Sequence, residues 1–157
     1  AEDTAIGPVA SEVQYNKIQR LINQGVAEGA ELVAGGPGKP KGLETGYFVK
    51  PTIFSNVNNR MTIAREEIFG PVLSVMTFRT PEEAFERANN TPYGLSAGVW
   101  TDKGSKIFKM VNKLRAGVVW ANTYNKFDPT SPFGGYKESG FGREGGLQGL
   151  AAYCRLD

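Results

Sequence analysis

The stretch VLSVMTFRTPEEAF, residues 72–85, predicts a strand that leads directly into a helix. Its first eight residues are mostly apolar or β-branched, which is typical of a central strand. Thr80 is predicted to cap the helix, because the proline after it suits the first helical position and Glu83 completes a capping box. Phe85 and Ala88 are expected to face inward. A strand followed by a capped helix is the building unit of α/β folds.

The rest of the chain alternates the same two kinds of element. Ser11 and Gln14 have capping-box spacing, and apolar residues then recur at helical intervals, which predicts a helix over about residues 11–29. Pro51 makes its strand an edge strand or a bend. The pattern predicts a layered α/β sheet that is at least partly parallel. The further predicted strands are 31–36, 47–54, 95–101 and 117–122, and the further predicted helices are 103–115 and 147–154.

Composition excludes several classes of function. The 157 residues suit one domain, and a net charge of +2 from 18 basic and 16 acidic side chains is too balanced for a nucleic-acid groove or an anionic membrane surface. No run of apolar residues is long enough for a membrane span. A single cysteine fits a reducing compartment. The absence of histidine excludes Ser-His and Cys-His catalytic pairs and most transition-metal sites, so no metal is predicted.

Residues 123–146 form a long stretch without periodicity, rich in glycine, proline and aromatic residues. Long loops in compact domains are often functional. This one follows a predicted buried strand, and in open α/β sheets ligands bind beyond the carboxyl ends of the strands. The loop is therefore predicted to line a site, with Phe127 and Phe133 as a substrate wall.

Three other features have competing interpretations. GFGREG, residues 140–145, has the G-x-G-x-x-G spacing, but no predicted strand precedes it, which favours a loop over a dinucleotide fingerprint. Cys154 is predicted to be a buried structural cysteine, because it shares an apolar face and has no histidine to activate it. Glu144 either pairs with Arg143 at the surface or serves the site.

EEIFGPV, residues 66–72, places two carboxylates before an aromatic residue and a Gly-Pro turn. Adjacent side chains point to different sides of the backbone, so a shared proton or metal is disfavoured. One carboxylate beside Phe69 instead suits a ligand that carries vicinal hydroxyls and a flat ring, such as nicotinamide riboside.

Several long motifs together resemble the NAD(P)-dependent aldehyde dehydrogenases. EEIFGPVLSV, ANNTPYGLSAGVWT, AGVVWANTY and SPFGGYKESGFGREGG occur in the order and approximate spacing of that family, and GPVAS and GYFVKPTIF also match it. The resemblance covers essentially the whole chain. It implies that residues 1–157 are the C-terminal portion of the catalytic domain, with an incomplete layered α/β/α sheet, and are a fragment of a longer enzyme.

The resemblance also implies roles for individual residues. Glu67 would bind the nicotinamide-ribose hydroxyls, Phe69 would pack near the nicotinamide, Phe127 and Phe133 would wall the aldehyde tunnel, and Glu144 would have a proton-relay or structural role. The nucleophilic cysteine of the family lies upstream of the matched segment, and Cys154 does not match it.

The resulting expectation is part of an enzyme that oxidises an aldehyde to a carboxylic acid with NAD or NADP. The resemblance implies a cytoplasmic homo-oligomer whose partners are the aldehyde and the rest of the parent chain, with no nucleic acid and no membrane. The isolated chain is expected to be inactive. Two alternatives are a non-catalytic interaction module that reuses the fold and independent nucleotide binding through GFGREG.

Overall fold

A computed structural model describes residues 5–155. The chain divides into two compact units, Ala1–Phe78 and Arg79–Asp157. Each unit has its own helices and strands and is described by itself.

The first unit is built from one long helix, one short helix and a small sheet. Ser11 caps helix α1 (Glu12–Ala27), because its hydroxyl oxygen accepts a hydrogen bond from the Gln14 N–H at 3.2 Å. The predicted helix over 11–29 is therefore confirmed. The remaining elements are β1 (Glu31–Ala34), β2 (Thr52–Ser55), α2 (Thr62–Arg65) and β3 (Val72–Ser74).

The sheet has the order β1-β2-β3, with β1 antiparallel and β3 parallel to β2. Two predictions about these strands are wrong. Of the two alternatives given for the strand at Pro51, an edge strand or a bend, the edge is wrong: β2 is central, because it begins at Thr52 and the proline lies outside the ladder. The strand over 72–79, predicted to be central, lies at one of the two edges of this sheet and ends at Ser74. Strand order depends on long-range pairing, which local composition does not specify.

The core of the first unit lies between α1 and the sheet. Ile18, Leu21, Ile22 and Phe54 are fully buried, and Ile63 and Ile68 join the same cluster. The buried α1 residues recur at intervals of three and four, so one face of the helix packs inward. That face also contacts α2, which places α1 beside the chain that follows α2.

The described part of the second unit contains three helices and four short strands, two of which are parallel to each other. Its elements are α3 (Pro81–Asn89), β4 (Tyr93–Gly94), β5 (Ser96–Val99), α4 (Gly104–Lys113), β6 (Val118–Ala121), β7 (Tyr136–Lys137) and α5 (Gly146–Ala151). Strands β5 and β6 are parallel, and β4 pairs antiparallel with β7.

The cap of α3 is confirmed, since the Thr80 hydroxyl accepts from the Glu83 N–H at 3.2 Å. Phe85 is buried as predicted, but Ala88 is exposed. Cys154 is also exposed, so its predicted burial is wrong. Helix α5 ends at Ala151, and the cysteine therefore lies beyond the apolar helical face that suggested a buried position.

Among residues 5–155, none of the helices has the length and apolar character that a membrane crossing requires. The same residues contain no group of three or more acidic or cysteine side chains arranged to hold a metal ion.

Candidate functional site

The first group of candidate residues lies on the segment between α2 and β3, residues 66–70. Ile68 is buried in the core, whereas Glu67 and Phe69 on either side of it are exposed. Gly70 passes α1 closely, and a Cβ at this position would lie 2.5 Å from Cδ1 of Ile18. The segment is thus anchored by one buried side chain and one close backbone contact, and it presents the two candidate side chains outward.

Phe69 has an unusual backbone conformation, with φ +57°. This is the left-handed region, which costs a non-glycine residue about 1 kcal/mol or more. Its ring is 71% exposed, so core packing does not explain the conformation. The contact that fits the observation is Gln14, whose Nε2 donates to the carbonyl oxygens of Ile68 at 3.0 Å and Phe69 at 2.9 Å.

The two adjacent glutamates have different surroundings. Glu66 ends α2, and its carboxylate lies 3.7 Å from the Arg20 guanidinium, with both side chains more than half exposed. Such a pair contributes little to stability. The Glu67 carboxylate makes no hydrogen bond or ion pair with any part of the chain that the structure describes. Of the two, Glu67 is therefore the carboxylate that has no charged partner among the described residues.

The second group of candidate residues follows β6 in the second unit. Asn122 ends this strand at φ +54°, and its side chain bridges to the end of β5. Its Oδ1 accepts from the Thr101 N–H at 2.9 Å, and its Nδ2 donates to the Thr101 carbonyl at 3.0 Å. The carboxyl ends of the two parallel strands are thereby held together at the start of the loop.

An aromatic cluster organises the beginning of that loop. The rings of Phe127 and Phe133 meet edge to face with centroids 5.0 Å apart, and Trp120 packs on Phe127 at 5.4 Å and on Tyr124 at 4.9 Å. The Trp120 indole N–H also donates to the Lys126 carbonyl at 2.9 Å. Because Trp120 is buried in β6 while Phe127 is 60% exposed, the cluster connects the sheet to an accessible apolar face.

The turn between the two phenylalanines is fixed by Asp128. Its carboxylate accepts from the Thr130 hydroxyl at 2.7 Å and from the Thr130 N–H at 2.9 Å. The hydroxyl contact, followed by the backbone N–H, lowers the pKa of Asp128 below its usual value. The aspartate therefore stays ionised at neutral pH and acts as a turn residue.

Glu144 lies beside Phe133, since the two residues exchange backbone hydrogen bonds of 2.7 Å in both directions. The alternative in which Glu144 pairs with Arg143 is wrong for the described residues, where the Arg143 Nη1 instead donates to the carbonyls of Gly135, Phe141 and Gly142. The guanidinium also stacks over the Tyr136 ring at 5.2 Å. Arg143 thus fastens the loop, and the Glu144 carboxylate is exposed.

The structure therefore brings together Phe127, Phe133 and Glu144, and it places Glu67 and Phe69 on a separate segment of the first unit. Residues 123–146 were predicted to be a loop without regular structure, but they contain β7 and a β-bridge between Phe133 and Glu144. GFGREG forms part of this folded-back segment, where the Glu144 N–H is bonded to the Phe133 carbonyl and is not free to bind a phosphate.

Sequence reasoning missed three residues that shape these groups. Gln14 was read only as a capping residue, Trp120 only as part of an apolar strand, and Arg143 only as a surface charge. A tryptophan at the end of a parallel strand and an arginine within a glycine-rich loop were signals for the last two, since both side chains commonly bond to loop carbonyls. No local signal identifies the distant partners of Gln14.

The family model described as the aldehyde dehydrogenase family matches residues 1–157. The chain belongs to the aldehyde dehydrogenase family. Its similarity to individual relatives is high over nearly the full chain. The Bacillus subtilis protein DhaS, assigned to the aldehyde dehydrogenases, is 49% identical over 155 residues, which are 99% of this chain and 31% of DhaS.

Solved aldehyde dehydrogenase structures have the same fold. The NAD+ complex from Bacillus cereus superposes with a TM-score of 0.93 at 49% identity, over 99% of this chain and 31% of that one. A variant of AldC from Pseudomonas syringae, solved with NAD+ and octanal, gives 0.91 at 47% identity, over 98% and 31%. The predicted α/β fold class is confirmed. The chain spans about a third of the length of these aldehyde dehydrogenases.

Proposed function

We propose that the chain is the C-terminal portion of the catalytic domain of an NAD(P)-dependent aldehyde dehydrogenase that oxidises an aldehyde to a carboxylic acid. The observation that carries this proposal is the segment 66–70, where the Glu67 carboxylate has no hydrogen-bond or ion-pair partner among residues 5–155 and Phe69 exposes its side chain on a backbone bonded by Gln14. The family membership supports the reaction class, and NAD+ in the B. cereus and P. syringae relatives supports the cofactor.

The residues of this segment fit a nicotinamide riboside group chemically. An ionised carboxylate without internal partners accepts charge-assisted hydrogen bonds from vicinal ribose hydroxyls. A phenylalanine ring held out from the backbone restrains a flat ring and excludes water from it. When bound, the nicotinamide supplies the hydride acceptor for aldehyde oxidation. In this proposal Glu67 binds and orients the cofactor, and Phe69 limits the positions of its reacting ring.

The aromatic cluster of the second unit is proposed to wall the aldehyde tunnel. Phe127 and Phe133 form a T-shaped pair supported from below by Trp120. Such a wall favours aldehydes with an apolar chain or ring, since it offers contact area without hydrogen-bond donors. Octanal in the structure of the P. syringae variant is consistent with an apolar substrate class.

Glu144 is proposed as a proton relay, with its backbone fixed against Phe133. Within residues 5–155, its carboxylate has no hydrogen-bond or ion-pair partner, so it is available to hold or pass a proton. A homo-oligomeric, cytoplasmic enzyme remains a prediction of the resemblance.

The decisive experiment compares Glu67→Gln with Glu66→Gln in the full-length protein that contains these residues. Loss of two charge-assisted hydrogen bonds is expected to raise the KM for NAD+ by about tenfold or more in Glu67→Gln. Glu66→Gln is the matched control, because it removes the same charge from the neighbouring residue, which only forms an exposed ion pair. Its KM for NAD+ is expected to change by less than about twofold. Equal effects of the two substitutions on KM would refute the assignment.

The purified chain is expected to be inactive by itself. Its cysteine is exposed beyond the end of α5 and has no histidine in the chain to activate it. NAD-dependent oxidation of octanal by the isolated chain, followed by absorbance of the reduced cofactor, is the direct measurement. Turnover would overturn this part of the proposal. A full-length protein without any dehydrogenase activity would instead favour an interaction module that reuses the fold.

A further inference from the structure

The side chain of Gln14 does not have the role that its sequence position predicts. In a capping box, the residue three positions after the cap returns its side chain to the N–H of the cap. Here only half of the box exists: the Gln14 N–H donates to the Ser11 hydroxyl oxygen, whereas the Gln14 amide leaves the helix. Its Nε2 donates to two carbonyl oxygens that lie 54 and 55 residues further along the chain.

The geometry of this contact matches the donor group. A carboxamide carries two N–H donors on one nitrogen, so a single side chain serves the two successive carbonyls of Ile68 and Phe69. The Ile68 carbonyl belongs to the peptide group before the Phe69 Cα and the Phe69 carbonyl to the peptide group after it, so the two bonds hold both peptide planes that flank this residue. The relative orientation of these planes sets the backbone torsions of Phe69, including its left-handed φ.

Other contacts hold the same segment but do not select this conformation. The ion pair between Arg20 and Glu66 is exposed and spans 3.7 Å, so water and salt weaken it. Burial of Ile68 anchors the chain without fixing the rotation of the next peptide. The approach of Gly70 to Ile18 limits distance rather than torsion. Backbone hydrogen bonds hold the two ends of the segment, from the Glu66 N–H to the Thr62 carbonyl at 2.8 Å and from the Val72 N–H to the Gly70 carbonyl at 2.7 Å. Among the described side-chain contacts, the Gln14 amide is the one that bonds the carbonyls on both sides of the Phe69 Cα.

We infer that Gln14 is a positioning residue, which holds the Phe69 ring and the neighbouring Glu67 carboxylate in their cofactor-binding arrangement by bonding the Ile68 and Phe69 carbonyls. This inference rests on the proposed function of the segment. Gln14 acts through the backbone of residues 66–70 and does not contact the ligand. It sets the backbone geometry, and Glu67 and Phe69 make the contacts with the ligand.

The test uses Gln14→Met and Gln14→Glu in the full-length protein. Gln14→Met keeps an unbranched side chain of similar length, suits a helix and removes both donors. Gln14→Glu keeps the shape but places carboxylate oxygens, which only accept, against two carbonyl oxygens. A matched control is Asn23→Asp on the same helix. It gains the same negative charge as Gln14→Glu and loses the hydrogen bond that the side-chain amide of Asn23 donates to the Gln19 carbonyl.

The expected result is a rise of about tenfold or more in the KM for NAD+ in both Gln14 variants, larger in Gln14→Glu, with little change in Tm. A purely structural role predicts the opposite combination: Tm and the active fraction of the protein fall, and the KM for NAD+ is unchanged. The inference would be overturned if either Gln14 variant had a KM for NAD+ within about twofold of that of Asn23→Asp. It would also be overturned if Tm and the active fraction fell while KM stayed unchanged.

A second measurement keeps the inference testable if a variant is poorly active. Amide chemical shifts of residues 66–70 in the labelled chain report the backbone conformation directly, and both Gln14 variants are expected to shift them while Asn23→Asp does not. Unchanged shifts would overturn the inference. The variants Glu67→Gln and Phe69→Leu separate the two proposals: if neither alters the KM for NAD+, the proposed function fails; if they alter it and Gln14 does not, only the positioning role fails.

Discussion

Gly70 lies so close to helix α1 that one added methyl group is expected to destabilise the first unit. A Cβ at residue 70 would lie 2.5 Å from Cδ1 and 2.9 Å from Cγ1 of Ile18. Carbon atoms pack favourably at about 3.5–4.0 Å, so Gly70→Ala requires a displacement of about 1 Å. Ile18 is fully buried, so a movement of its side chain has to displace neighbouring core atoms.

The expected cost follows from this overlap. Overpacking of a well-packed core costs about 1–3 kcal/mol, and a shift of 1 Å against a fully buried side chain places Gly70→Ala near the middle of that range, at about 2 kcal/mol. For a chain of this length, that loss corresponds to a fall in Tm of about 4–8 °C. Gly7→Ala is the control, because a Cβ there meets no atom within 4 Å and the backbone is not left-handed.

The second substitution needed is Ile18→Val, which removes the Cδ1 atom that makes the closest contact. By itself it should cost about 1 kcal/mol. In the double variant the overlap is partly relieved. Its loss of unfolding free energy should therefore be smaller, by about 1 kcal/mol, than the sum of the losses of the two single variants. Urea unfolding followed by far-UV circular dichroism gives the four free energies of unfolding. Simple additivity, or a Gly70→Ala variant as stable as Gly7→Ala, would refute this steric reasoning.

Two further predictions concern other parts of the molecule. Gly117→Ala places a Cβ 1.6 Å from the Gly134 carbonyl oxygen, a backbone atom that cannot rotate away, so a loss of more than about 3 kcal/mol is expected from urea unfolding followed by tryptophan fluorescence. Gly142→Ala, where a Cβ meets nothing within 4 Å, should leave the second unit intact. The pKa of Glu28 is lowered below 4.5, chiefly by the Thr62 hydroxyl, so its stabilising contribution is present above the unfolded-state pKa and is lost as pH falls through the lowered folded-state pKa. Glu28→Gln should therefore be less stable than the parent at pH 7, and this difference should shrink as pH falls through the lowered folded-state pKa of Glu28; a pH-independent difference in Tm would contradict this linkage.

The parts of the fold that sequence predicts well are those with local causes. The caps at Ser11 and Thr80 depend on residues three positions apart, and both hydrogen bonds are present. The order of the strands depends on pairing across many residues, and the sequence placed the strands of Thr52 and Val72 wrongly within the sheet. Cys154 was misplaced for a related reason, because helical periodicity does not show where α5 ends.

In the candidate site, too, local features were predicted from the sequence and long-range contacts were not. Glu67, Phe69, Phe127 and Phe133 were identified from motifs, and the structure shows the local surroundings of each. The contacts that hold them were not visible in the sequence, because the partners of Gln14 are 54 and 55 residues away. A periodic pattern identifies the buried face of α1, but it contains no information on which loop passes the polar end of that face.

Phe69 connects these observations to function. An exposed aromatic ring contributes little to the core of the first unit, and a left-handed backbone at a non-glycine residue costs free energy. Folding alone would be served as well by glycine at this position. The chain instead retains a large ring there and holds its backbone with two directed hydrogen bonds from Gln14. In the proposed function, the backbone at Phe69 is already held by Gln14, so binding of a planar, hydroxylated ligand orders the side chains of Glu67 and Phe69 but not the backbone between them, which lowers the entropic cost of binding.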